Sequence, residues 1–159
     1  MLKIKILAVG KLKERAFNDI ADDYVKRLGR YCAPDVTELR DESVPAGAGG
    51  AEIVKILSAE AGRILDRIKA DSYVIALDMT GGAPDSDGFA SKIRALSGRY
   101  PELVFIIGGS HGLHPDVLKR ADYVLSMSNM TFPHRLARLI LLEQIYRAFK
   151  IINNETYHK

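Results

Sequence analysis

Two short, nearly pure apolar runs constrain this chain more than anything else in it. Tyr73-Val74-Ile75-Ala76-Leu77 stops at Asp78, and Leu103-Val104-Phe105-Ile106-Ile107 stops at Gly108-Gly109. Such runs, rich in β-branched residues, suit strands covered on both faces, and these occur in parallel sheets with helices on either side. The flanking segments carry the helical period. Phe17, Ile20, Ala21, Tyr24, Val25 and Leu28 form one stripe within 14–30. Ile53, Ile56, Leu57, Ala61, Ile64, Leu65 and Ile68 form another within 51–69. Further helices are predicted over 89–96, 115–120 and 133–150, the last with Pro133 at its first position. Further strands are predicted over 2–9, 36–41 and 123–125. Strand and helix therefore alternate, which predicts an α/β fold with a mostly parallel sheet flanked by helices. Residues 1–159 read as one domain, and the glycine- and proline-bearing stretch 43–50 as a surface loop. Ligands bind such sheets at the carboxyl ends of the strands. Three loops leave those ends, over 78–84, 108–113 and 126–132.

Composition narrows the function. The chain is 47% apolar and 27% charged, enough to bury a core. No apolar run is long enough to span a membrane, and Lys3 and Lys5 interrupt the N-terminal run, so it does not read as a secretory signal. The single cysteine, Cys32, allows no internal disulfide and no cysteine-based zinc site, which points to the cytoplasm. His111 and His114 lie three apart without a companion ligand, so no metal is expected. Charge is uneven. Residues 1–30 carry 8 basic and 4 acidic side chains, 31–130 carry 10 and 14, and 131–159 carry 5 and 2. If the two basic ends meet, within one chain or across a dimer, they make a surface for phosphates. A basic soluble protein with no anionic partner has the same composition.

Four segments carry chemistry. Gly108-Gly109-Ser110-His111-Gly112 follows a buried strand and precedes a helix, so its backbone can approach a ligand closely. It matches neither the dinucleotide fingerprint nor a P-loop, and a tight turn without ligand is the plain alternative. Ser126-Met127-Ser128-Asn129-Met130-Thr131-Phe132 sets thioethers and an aromatic ring among small polar groups, which suits a flat heterocycle or a sulfur-bearing ligand. The same side chains would also serve as core plugs. In 133–150, Leu139-Ile140-Leu141-Leu142 makes the helix apolar on nearly all sides. That predicts packing on the sheet and on a second copy, a two-fold homodimer, or else a central helix of a monomer. Glu143 and Arg147 are spaced to pair. The end, Tyr157-His158-Lys159, offers a phenol, an imidazole and an ammonium, which can stack on a base, move a proton and hold a phosphate. A frayed terminus is the alternative.

Taken together these segments resemble one family. They are Ile6-Leu7-Ala8-Val9-Gly10-Lys11-Leu12-Lys13, Leu77-Asp78, Phe105 through Leu113, Leu125 through His134, Glu143-Gln144-Ile145-Tyr146-Arg147-Ala148-Phe149-Lys150, and Tyr157-His158-Lys159. The chain is similar, over its whole length, to the bacterial large-subunit (23S) rRNA pseudouridine N3-methyltransferases, the RlmH family of the SPOUT superfamily. The resemblance implies a deep C-terminal trefoil knot, a homodimer, and S-adenosylmethionine as cofactor. By carry-over, Leu77, Gly108, Met127, Ser128, Asn129, Met130, Thr131 and Phe132 line the cofactor site, with Gly109 and Ser126 adjacent. His134 or His158 would act as base or proton relay, Tyr157 would position the base, and Lys159 would hold a phosphate or the developing negative charge. Arg135 and Arg138 would touch RNA or pair across the dimer. The tail of one copy would complete the site of the other. The modest basic surface points to recognition of an assembled ribosome rather than of naked RNA. The competing readings are a SPOUT enzyme for another RNA base and a non-enzymatic nucleotide-binding regulator.

Overall fold

The computed structural model describes residues 1–157; His158 and Lys159 lie outside the described residues. Five strands, β1 (Lys3–Val9), β2 (Ala33–Leu39), β3 (Tyr73–Gly82), β4 (Glu102–Ile107) and β5 (Tyr123–Leu125), form one sheet in the order β2-β1-β4-β3-β5. Every pairing is parallel. Register brings Ile6 beside Val36 and Phe105, and Phe105 beside Ile75. The two apolar runs are therefore neighbours near the middle of the sheet, and all of β4 is buried.

The strand period of two sorts the side chains into two cores. Ile4, Ile6, Ala8, Ile75, Leu103, Phe105 and Ile107 face α1 (Arg15–Leu28), α3 (Ser86–Ser97) and α5 (His134–Ile152). Leu7, Val9, Val74, Ala76, Val104 and Ile106 face α2 (Gly50–Leu65) and α4 (Pro115–Arg120). The Asp85 carboxylate caps α3 by accepting from the Gly88 amide at 2.7 Å. His114 caps α4, with Pro115 opening the helix.

The helix α5 lies between α1 and α3 on the sheet. Leu141, Leu142 and Ile145 are wholly buried, Tyr31 stacks on Phe149 with centroids 5.7 Å apart, and the Ser86 hydroxyl donates to Gln144. The two flanking helices and the sheet cover much of its wide apolar surface, while Leu136 stays 38% exposed. Glu143 and Arg147 pair as their spacing predicts. Pro133 caps α5 in an extended conformation rather than occupying its first turn, so the helix begins at His134.

Two strands differ from the sequence expectation. β2 begins at Ala33, through Pro34, because parallel pairing with β1 starts at Lys3 and an edge strand tolerates proline. β3 continues through Asp78-Met79-Thr80-Gly81-Gly82, which read as loop. After an irregularity beyond Leu77 it rejoins β5, with Gly82 opposite Leu125. Only glycine fits this crossing, since a Cβ on Gly81 would sit 2.4 Å from the Val124 carbonyl oxygen.

Candidate active site

A cavity of about 750 Å³ opens at the carboxyl ends of β3, β4 and β5. Leu77, Asp78 and Met79 of β3 form one wall. The backbone of Gly108, Gly109, Ser110 and Gly112 forms the floor. Ser126–Ser128, Met130 and Thr131–Pro133 arch over it, and His134 and Ala137 of α5 close the far side. The three loops expected to leave the strand ends meet in this one place.

Each wall has a local cause. Gly108 closes against the returning end of its own loop, where a Cβ would lie 2.5 Å from the Gly112 carbonyl oxygen. Gly109 and Gly112 form a bridge that holds the loop flat. The arch is braced by its own polar groups. Ser126 is buried, its amide donates to Gly82 at 2.9 Å, and its hydroxyl donates to the Ser128 carbonyl at 3.1 Å. The Met130 amide donates to the Ser128 hydroxyl at 2.9 Å. The Thr131 hydroxyl contacts the Met79 sulfur at 3.3 Å, joining the arch to the extension of β3.

All the residues expected to hold cofactor line the cavity except Asn129, which is exposed and outside the lining. The two methionines of the arch do different things. Met127 packs against the core while Met130 is exposed at the mouth. Asp78, Met79 and Ser110, which lie in the predicted loops but were not singled out as cofactor contacts, also line the cavity, and Ala137 was missed. Asp78 and Met79 carry the one available signal, since they follow a buried strand directly.

His134 is half-buried at the start of α5. Burial, reinforced by Arg135 and Arg138, pushes its imidazole below the ordinary histidine range. It is therefore neutral at neutral pH and able to accept a proton. Neither arginine is free. Arg135 pairs with Glu14. Arg138 is buried, pairs with Glu38 and donates to the Gly10 carbonyl at 2.8 Å, tying α5 to the ends of β1 and β2. For Glu38, burial raises the carboxyl, but the Leu12 amide, Arg138 and Lys11 outweigh it and hold it below its ordinary value of 4.5. The pair thus stabilises the fold fully above that pH, and its contribution is lost as pH falls below it. Replacing Arg138 with methionine strands the Glu38 carboxylate and is expected to cost about 3 kcal/mol at neutral pH in denaturant unfolding, with the deficit shrinking toward pH 3.

Tyr157 is not beside His134. Its hydroxyl donates to Glu143 at 3.1 Å and its ring meets Tyr146 edge-on with centroids 5.0 Å apart. Glu143 lies roughly two and a half turns, about 14 Å, further along α5 than His134, and so on its opposite side. Burial, then the neighbouring Tyr24 and Glu143, push the Tyr157 phenol upward, so it stays protonated and acts as a donor. Within one chain His134 and Tyr157 do not share a site. Among the described residues no group of His, Cys, Asp and Glu converges as metal ligands, and no helix is long and apolar enough to cross a membrane.

A family model described as a predicted SPOUT methyltransferase matches residues 2–158. The chain belongs to the SPOUT methyltransferase family. Proteins of this family transfer a methyl group from S-adenosylmethionine. The solved structure of a probable methylase family protein from Haemophilus influenzae Rd KW20 is similar over 98% of this chain and 70% of that one. Its TM-score is 0.55 at 18% identity, which shows a common fold. In this SPOUT methyltransferase the cavity suits the donor. Its volume is in the range that holds a small ligand, the glycine loop forms part of its lining, and thioether and phenyl groups line its roof.

Proposed function

We propose that this SPOUT methyltransferase methylates N3 of a pseudouridine in 23S rRNA, acting as a cytoplasmic homodimer on the assembled ribosome. The observation that carries the reading is the cavity itself: a glycine-loop floor, a methionine- and phenylalanine-bearing arch, and a neutral imidazole at its edge. The resemblance across the whole chain, including Tyr157-His158-Lys159, supports the choice of base. A deep trefoil knot belongs to the same reading, and the tight passage of Gly81 against Val124 supports it.

Bound S-adenosylmethionine supplies an electrophilic methyl group on a sulfonium. The work of the chain is to place it and to manage one proton. The Gly108–Gly112 backbone and the arch fix the donor, which turns an in-line displacement into a positioning problem. N3–H is a weak acid, and N3 becomes a strong nucleophile only as the proton leaves. His134, neutral and at the edge of the cavity, accepts that proton. Tyr157 is held at Glu143, away from the cavity of its own chain, and in this reading the tail serves the cavity of a second copy. There Tyr157 positions the base, His158 assists the proton, and Lys159 holds a phosphate or offsets negative charge on the base.

The test uses ribosomal particles from a strain lacking this enzyme, incubated with the protein and a methyl-labelled donor. Nucleoside mass spectrometry is expected to find the label as N3-methylpseudouridine from the large subunit. Label in a different nucleoside, or none in RNA, overturns the assignment.

A further inference from the structure

We propose that Glu60, acting with Asp41, is the proton outlet of this site, taking from His134 the proton the imidazole accepts and delivering it to solvent. The inference rests on the methyl-transfer reading above and adds to it a second space, of about 30 Å³, behind the main cavity. That is room for one water. Glu60 of α2, Asp41 of the segment after β2, and His134 of α5 line it. His134, Gly109 and Ser110 line both spaces, so His134 is shared between them.

Glu60 is hard to explain as a structural residue. It is only 7% exposed, next to the buried Ala61 on the sheet-facing side of α2, where an apolar residue would pack without desolvating a charge. Arg63, its neighbour on α2, pairs with Glu42 and the Arg40 carbonyl instead. One Glu60 oxygen, Oε1, accepts the Glu42 amide at 3.1 Å. The other, Oε2, faces Gly109, 3.9 Å from where a Cβ there would lie. Burial raises the Glu60 carboxyl, and Asp41 and Glu42 add to the rise against the Glu42 amide and Arg63. Asp41 also pulls the His134 imidazole upward, against burial, Arg135 and Arg138. It acts on both groups and is itself exposed, which makes it the outer end of the path. His111 is the remaining titratable group on this space.

The step balances. As N3 takes the methyl group its N–H bond breaks, and the proton forms an N–H bond on one ring nitrogen of His134. The N–H bond on the other ring nitrogen then breaks toward one water, which passes a proton to the Glu60 carboxylate. The carboxylic acid releases its proton past Asp41 to solvent, and the imidazole is neutral again. Glu60 is a positioning and relay residue, since it acts through His134.

The test follows the His134 titration by NMR in ligand-free protein, with the resonance assigned by His134→Gln. The wild type is expected to show a second, acid-side step as Glu60 ionises, absent in Glu60→Gln. Asp41→Asn is expected to lower the main His134 midpoint. In single-turnover methyl transfer Glu60→Gln is expected to slow the step about tenfold, Glu60→Asp to recover part of it, and donor affinity by calorimetry to stay within about twofold. A single-step His134 titration unchanged across the variants overturns the relay. If Glu60→Gln fails to fold, an unchanged midpoint in Asp41→Asn overturns it equally. Wild-type protein that does not bind S-adenosylmethionine overturns the methyl-transfer reading instead, so the two failures are distinguishable.

Discussion

Gly108→Ala is expected to weaken S-adenosylmethionine binding by about a hundredfold or more, since each decade is worth about 1.4 kcal/mol. The added methyl would lie 2.5 Å from the Gly112 carbonyl oxygen and 2.7 Å from its carbon. Both are backbone atoms, so nothing flexible can swing aside. The glycine loop must open, which breaks the Gly109–Gly112 bridge and moves the cavity floor. Overpacking of this kind costs about 1–3 kcal/mol of stability, so the protein is expected to fold with a lowered melting temperature. Calorimetry on the folded variant reads the affinity. An affinity within twofold of the wild type would show that the floor of this cavity is not where the donor sits.

Removing residues 157–159 is expected to abolish methyl transfer while leaving donor binding nearly intact. The cavity owes nothing to Tyr157 of its own chain, whose hydroxyl is held at Glu143 on the other side of α5. Loss of the Tyr146 and Arg147 ring contacts lowers stability modestly. The same geometry makes a sharper forecast. A tailless chain has a sound cavity, and a Gly108→Ala chain has a sound tail. Co-expressed, the two inactive chains are expected to recover about one quarter of wild-type activity, because half of randomly assorted dimers are mixed and each has one complete site. No recovery would mean that the tail serves its own chain or none. Loss of folding and donor binding together on truncation would make the tail structural.

The sheet was largely legible because burial on both faces leaves an unmistakable run of apolar residues, as at Val74–Ala76 and throughout β4. The extension of β3 was not, because Asp78-Met79-Thr80-Gly81-Gly82 has the composition of a turn. It is held as strand by its neighbour: Gly82 pairs with Leu125, and the Gly82 carbonyl accepts the Ser126 amide at 2.9 Å. The apolar girth of α5 pointed to a second copy; α1 and α3 cover much of it within one chain, and Leu136 stays exposed. Periodicity records how wide a face is and not what covers it. For the site, the three loops could be named because parallel sheets bind at their carboxyl ends. Glu60 and Asp41 could not. In sequence they are ordinary charges on a helix and a loop, and only the fold brings them to the back of His134. Arg138, which read as an RNA or dimer contact, is instead the buried tie between α5 and the first two strands.

The central claim is that this cavity holds a sulfonium methyl donor, and calorimetric titration of the full chain with S-adenosylmethionine tests it most directly. The account predicts saturable binding of one molecule per chain, with a dissociation constant on the order of micromolar to tens of micromolar, displaced by S-adenosylhomocysteine and unaffected by ATP. No detectable heat at millimolar donor, or equal binding of ATP, would contradict it.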